Sequence, residues 1–395
     1  MSSPLTSPLS HREILLELAG VFLKLGASSF GGPAAHIALI EQEIVARRHW
    51  IDRQEFLDLV GAMNLIPGPN STELVIHIGQ KRAGIPGLIV AGISFILPAT
   101  LMVLLLAVFY VRTNSLPEMR WILTGVQPVV IAIIAHALSK LARTAIKNRF
   151  TFFVAVTAIL LVACGINEVA VIFLSALAGL IAGAKIPPAT PDKLTRSTPV
   201  KPQQQSAPLF FLMASIPAAM PTLGNLFFIF LKIGSIIYGS GYVLLAFLRD
   251  DFVTKTGWIS DRQLLDAISI GQLTPGPLFT SATFIGYLIA QVPGALIATV
   301  GIFLPSFFFV AALSRRLEKL RASPRARPFL DAVNAASLAL MAVVTWELAR
   351  ASIADSGLGF TSVLGICALL VLTLTKTNSL WLMIAGALIG FLWHR

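Results

Sequence analysis

The segment Asn64-Leu65-Ile66-Pro67-Gly68-Pro69-Asn70-Ser71-Thr72 gathers amide and hydroxyl groups around a Pro-Gly-Pro triplet. Gln272-Leu273-Thr274-Pro275-Gly276-Pro277-Leu278-Phe279-Thr280 does so again. Each proline removes a backbone donor and clashes with the preceding turn, while the glycine permits angles other residues avoid, so neither stretch can be a continuous helix. A helix restarting at Pro69 or Pro277 has its proline where the missing N–H costs nothing. The next amides, Asn70 to Thr72 and Leu278 to Thr280, are then expected to lack intrahelical partners and to carry the positive helix end, about half an elementary charge. Two such ends suit a small oxyanion. The hydroxyls of Ser71, Thr72, Thr274 and Thr280 and the side-chain amides of Asn64 and Gln272 add donors. The plainer alternative is that each triplet only kinks a helix for packing.

Lys24 and Lys232 occupy equivalent places inside apolar stretches. A lysine at mid-membrane costs at least about 2.5 kcal/mol, so it pairs, serves a pathway or snorkels to the interface; anion attraction and helix pairing are the readings taken forward. Gly31 and Gly32 before Pro33, and Gly239, Ser240 and Gly241 in the second copy, allow close approach of backbone to a ligand or to a neighbouring helix. His36 has no charged neighbour and reads as a packed, hydrogen-bonded ring before a proton relay. Asp58 and Asp266 recur at the start of the broken segments, and Glu73 follows the first break without a mate. These four are the candidates for proton coupling. Zinc-protease, phosphate-loop and cysteine–histidine signatures are lacking, and Gly92-Ile93-Ser94 continues as Phe95, so no enzyme, metal site or cofactor is expected.

The elements that must hold these residues are membrane helices. Of the 395 residues, 56% are hydrophobic and 12% charged, with mean hydropathy +0.81; a soluble domain carries about 25% charged residues. Runs such as 88–111 and 295–313 reach or approach the roughly 20 apolar residues that cross a bilayer. The net charge of +11 sits in short connections, among them Lys140, Arg143, Lys147 and Arg149, and Arg315 to Arg327. That is the pattern of cytoplasmic loops and not of nucleic-acid binding. Cys164 and Cys367 lie in apolar segments and read as small buried hydrophobes. No cleavable leader is expected, because Lys24 interrupts the first apolar stretch and a glycine-rich break follows it.

The expected organisation is a polar tail (1–13), a first repeat (14–184), a Pro/Gln/Lys-rich hydrophilic linker (185–208) and a second repeat (209–395). Phe22-Leu23-Lys24 recurs as Phe230-Leu231-Lys232, Trp50-Ile51 as Trp258-Ile259, Leu57-Asp58 as Leu265-Asp266, all at an offset of 208. After one deletion Ile78-Gly79 matches Ile285-Gly286, and Pro98 matches Pro305. Such self-similarity means duplication. The basic cluster falls one segment earlier in the second half, so the halves are expected to be inverted, each with a Pro-Gly-Pro-broken or re-entrant helix pair. Matched breaks in inverted repeats mark a transporter's substrate site.

Phe30-Gly31-Gly32-Pro33 with His36, the Pro67-Gly68-Pro69 break, and Phe284-Ile285-Gly286-Tyr287 after the second break resemble the chromate ion transporter family in its long, two-domain form. The resemblance runs from about Phe22 to the last apolar segment. It implies a multi-pass inner-membrane protein that exports chromate and confers resistance, driven by membrane potential or a proton gradient. Sulfate, of the same charge and shape, is the analogue, and a homodimer is compatible with the resemblance. The second copy departs from the first at Gly239-Ser240-Gly241 and at Leu244, opposite His36, so the site need not be symmetric. The rival expectations are a sulfate or other oxyanion carrier on the same scaffold, and a membrane enzyme or scaffold that moves nothing.

Overall fold

The computed structural model describes residues 10–30, 33–113, 116–184, 221–238, 241–314, 326–375 and 377–394. The linker at 185–208, the basic residues from Arg315 to Arg325, Gly31, Gly32, Gly239 and Ser240 lie outside the described residues. Every regular element among the described residues is helical. The first half contains α1 (His11–Ser28), α2 (Pro33–Glu41), α3 (Arg53–Met63), α4 (Asn70–Thr113), α5 (Pro117–Ala145), α6 (Arg149–Ala163) and α7 (Glu168–Ala184). The second contains α8 (Leu223–Ile236), α9 (Leu244–Leu248), α10 (Asp261–Leu273), α11 (Ser281–Leu313), α12 (Ala326–Ser356), α13 (Leu358–Leu374) and α14 (Ser379–His394). A π-helical turn follows α2 at Gln42–Arg47 and α9 at Arg249–Lys255. The same irregularity at equivalent places is a structural mark of the duplication.

α1 starts at His11, slightly before the apolar pattern, because Ser10 and Glu13 form a reciprocal capping box. α4 and α11 are each two helices joined by a sharp turn. Ala83 and Gly84 leave helical geometry in α4, and Ala290 and Gln291 do so in α11. Gly84 and Gln291 have φ of 63° and 53°, and Pro86 and Pro293 restart the returning arms. The arms can close because Gly79 lies on the Gly87 carbonyl and Gly286 on that of Gly294; a Cβ at any of these four would collide with backbone. The arm 70–82 is about 20 Å long at 1.5 Å per residue, too short to cross, while the returning arm is long enough. By length and composition, α4, α5, α11 and α12 can each cross a membrane.

The halves exchange partners. α1 packs on α4 and α8 on α11, each within its own half. However, α5 of the first half carries α13 and α14 of the second, and α12 of the second carries α6 and α7 of the first. Glycines set these crossings: Gly390 Cα lies 2.7 Å from where a Cβ on Gly125 would sit, and the Pro328 carbonyl 2.6 Å from where one on Gly179 would sit. Lipid is as apolar as a leucine side chain, so helices associate in it mainly by such close packing. Cys164 and Cys367 are exposed, which corrects the buried reading. They sit at the end of α6 and on α13, short outer helices whose outward face meets lipid, where a small apolar side chain is as favourable as in a core.

Gly125→Leu is expected to lower stability by about 1–3 kcal/mol through overpacking. Gly20→Ala, with nothing within 4 Å of the added Cβ, is the control. Thermal unfolding of the detergent-purified variants checks this; equal melting temperatures would deny that the crossed helices hold the halves together.

Candidate functional site

α3 is capped by Asp52, whose carboxylate accepts the Glu55 amide at 2.8 Å. Its last carbonyls, Ala62 and Met63, are satisfied by the amides of Leu65 and Ile66. Past that turn only one backbone donor remains in each Pro-Gly-Pro, the glycine N–H. Gly68 N donates to Ile237 O at 2.7 Å, and Gly276 N donates to Ser29 O at 2.8 Å. Ser29 and Ile237 terminate α1 and α8, where helix carbonyls lack intrahelical donors. Each break is therefore seated on the end of the opposite half's first helix. Gly68 and Gly276 hold φ of 139° and 98°, open to glycine alone at low cost.

This reciprocal bonding brings the two breaks face to face. Between them lies a cavity of about 20 Å³, lined by His36, Pro69, Asn70 and Ser71 on one side and Gly241, Pro277, Leu278 and Phe279 on the other. It has room for about one water. His36 is buried, with Nδ1 3.3 Å from Ser71 Oγ and an edge-to-face contact to Phe95. Asn70 Nδ2 donates to Asn64 Oδ1 at 2.5 Å across the break. Asn70 Oδ1, Thr72 Oγ1 and Gln272 Nε2 are buried without a partner among the described residues.

The two helix ends do not supply all the donors the sequence suggests. The Thr72 amide bonds Pro69 O at 2.8 Å and the Thr280 amide bonds Pro277 O at 3.0 Å, so only the first two amides of each restart are left. Both restarts open with a tight turn, which consumes the third. The Thr280 hydroxyl also bonds Pro277 O at 2.8 Å, and the Thr274 hydroxyl bonds Ile270 O and Gly271 O. The polar side chains thus come mainly from the first half.

Glu73 lies beneath the first break and is fully buried. Ser306 Oγ donates to its Oε1 at 3.4 Å, and Oε2 has no partner among the described residues. A Cβ on Gly68 would strike both Glu73 Oε1 and Ser306 Oγ. At the second break the equivalent places hold Ser281, which bonds Leu278 O at 2.9 Å, and Ala99, whose Cβ lies 2.6 Å from where a Cβ on Gly276 would sit.

The remaining candidates stand elsewhere. Lys232 Nζ pairs with Asp251 Oδ1 at 2.6 Å, with both side chains largely buried. Lys24 is exposed on α1, and neither lysine lines the cavity. Asp266 is buried and accepts from Tyr110 Oη at 2.9 Å and Gln127 Nε2 at 3.0 Å, tying α10 to α4 and α5. Asp58, its counterpart, is half-buried on α3.

Asn70 also lines a second cavity of about 840 Å³. Asn64, Asn70 and Tyr238 contribute to its wall, as do the exposed cations Lys140, Lys147 and Arg327. Lys147 also pairs with Asp331 at 2.7 Å. Sequence reasoning missed this vestibule. Its signal was the basic cluster at 140–149, which served there only to orient loops.

The family model described as Chromate transporter matches residues 16–180 and 224–391. A chromate transport protein of Cupriavidus metallidurans is 31% identical over 386 residues, covering 95% of this chain and 92% of that protein. A probable chromate transport protein of Synechococcus elongatus is 30% identical, over 90% and 89%. The chromate transport protein of Pseudomonas aeruginosa is 28% identical, over 98% and 93%. No solved structure matches the chain. With two copies of the family's pattern on an all-helical, multi-pass membrane scaffold, the chain belongs to the chromate transporter family.

Proposed function

We propose that the protein is a secondary transporter of the inner membrane that exports chromate by alternating access, with the anion held between the two Pro-Gly-Pro breaks. The observation carrying this reading is the small cavity between the restarts, with His36, Asn70 and Ser71 on one wall, whose lining residue Asn70 also lines a vestibule with cations along its wall. Lys140, Lys147 and Arg327 raise the local concentration of a dianion. Backbone amides of Asn70, Ser71, Leu278 and Phe279, with the Ser71 hydroxyl and the Asn64 and Asn70 amides, replace its water. The positive-inside rule puts the vestibule on the cytoplasmic face, as loading for export requires. At about 20 Å³ the inner cavity is smaller than a tetrahedral oxyanion, so the restarts separate when it is loaded. The inverted arrangement of the halves supplies such a movement without rebuilding the site. Relatives named chromate transport proteins favour chromate. Sulfate is the second reading, because donors of this kind recognise charge and shape, which the two ions share.

Chromate counterflow in proteoliposomes tests the assignment, with sulfate and molybdate as competitors and pH gradient and potential imposed separately. Saturable chromate flux resisted by the other anions is expected; equal transport of all three defeats the chromate assignment, and zero flux through folded protein favours a non-transporting role.

Gly68→Leu and Gly276→Leu are each expected to reduce chromate flux at least about 100-fold while membrane insertion persists, since misplacing a binding backbone by 1 Å already costs that much. Wild-type flux in either variant would remove the breaks from the site.

Glu73 is the candidate for coupled protons, since a buried carboxyl with no ion-pair partner among the described residues is sensitive to its proton. In Glu73→Gln, flux is expected to ignore an imposed pH gradient yet still respond to potential. A retained response to the gradient would eliminate Glu73 from coupling.

A further inference from the structure

The duplication predicts that a contact between the halves occurs twice, and the packing of the short helix ahead of each break on the long helix of the opposite half departs from this rule. α5 and α12 are equivalent at an offset of 207: Gly125 meets Gly386 on α14, and Ala332 meets Gly179 on α7. On this register Gln127 corresponds to Asn334, while Asp266 corresponds to Asp58 at the offset of 208. At one end of the molecule α10 packs against α5, and the Asp266 carboxylate accepts the Gln127 amide at 3.0 Å in a buried setting. α3 has no comparable packing on α12 among the described residues, and both helices line the 840 Å³ vestibule. Gly61 and Leu65 line it from the α3 side and Asn334 and Leu338 from α12. Asp58 and Gly61 are three apart on α3 and share a face. The second-half equivalent of Gly61, Ser269, is by contrast buried.

We propose that Asp266–Gln127 and Asp58–Asn334 are two equivalent latches that form alternately. The first closes the far end while the vestibule is open; the second closes the vestibule when the first has parted. Each joins a carboxylate on the short helix ahead of a Pro-Gly-Pro break to a side-chain amide on the long helix of the opposite half. Both breaks are fixed to the opposite half by the glycine bonds, so α3 and α10 swing about anchored ends. Asparagine is one methylene shorter than glutamine, so α3 has to approach α12 more closely than α10 now approaches α5. None of these residues lines the inner cavity: they position the gates and do not bind the anion.

This inference rests on the alternating-access reading, and it is tested without chromate. The full chain carries Cys164→Ser and Cys367→Ser, with Ala137→Cys, a half-buried position on α5 lining the vestibule, as the reporter. The rate of labelling by a polar maleimide is measured on purified, monodisperse protein in lipid nanodiscs. Gln127→Leu is expected to slow labelling at least about threefold by releasing the state with the vestibule closed. Asn334→Leu is expected to leave labelling as fast or faster, and the double variant to return towards the parent rate. If Gln127→Leu is not monodisperse, Asp266→Asn, which keeps the side-chain shape, takes its place with the same expected slowing. An unchanged rate in the latch variant, or equal slowing in Asn334→Leu, overturns the proposal. Absent chromate flux in the parent with the labelling pattern intact would instead strike the substrate reading alone.

Discussion

The hydrogen bond from the glycine of each Pro-Gly-Pro to the end of the opposite half's first helix is the interaction on which the rest depends. Hydrocarbon offers no water to a freed backbone group, so a broken helix survives in a membrane only where protein completes its bonding or a polar cavity meets it. Two of the three N–H groups of the triplet are already removed by proline. The third, on Gly68 or Gly276, finds a carbonyl at Ile237 or Ser29, itself short of a donor because α8 or α1 has just ended. Each defect is met from the opposite half. The duplication therefore supplies more than symmetry: each copy completes the backbone bonding of the other, and the two breaks meet because they are held by the same crossed pair of bonds.

A scaffold tied this way can keep its backbone symmetric while its side chains diverge. Ser71 Oγ lies within hydrogen-bond distance of the His36 ring; at the matching place the second half has Leu244 in the histidine's stead. Glu73 and Ser306 crowd against Gly68, whereas of their counterparts only Ala99 lies against Gly276 and Ser281 bonds Leu278 O. Thr72 has a buried hydroxyl with no described partner, whereas Thr280 spends its hydroxyl on Pro277. The polar chemistry thus concentrates on one side of the cavity, and the other side presents Leu278, Phe279 and main chain. An apolar wall opposite a polar one lowers the local dielectric and makes each donor on the polar side count for more.

Much of the arrangement was readable from sequence because proline and glycine act through covalent geometry that no tertiary context can undo. The breaks, their recurrence and the transmembrane class follow from that and from composition. The exchange of partners was not readable, since α5, α6, α7 and their counterparts announce only that they are apolar, and glycine spacing does not say which helix will be met. Lys232 shows a subtler limit. Its partner Asp251 lies 19 positions away on the chain, beyond α9, within a π-helical turn no local pattern announces. The third amide of each restart was illegible for a different reason: both restarts open with a tight turn in which the Thr72 and Thr280 amides bond Pro69 O and Pro277 O, and no local pattern announces that turn.

The lysine pairing also bears on how a dianion is held. Lys232 is paired with Asp251 and Lys24 is exposed, so among the described residues no ammonium group lines the cavity between the breaks. A site built from full charges binds a dianion strongly and also pays for its release, whereas conduction and transport need binding weak enough to leave. Dipoles of helix ends and amides avoid that trap. The full charges of Lys140, Lys147 and Arg327 are kept to the vestibule, where they are exposed to water and screened by salt within about 8 Å at physiological ionic strength. On the proposed reading, charge that attracts at the mouth and partial charge that orients at the centre are separate tasks carried by separate elements: α5 and α12 for the first, the two Pro-Gly-Pro restarts for the second.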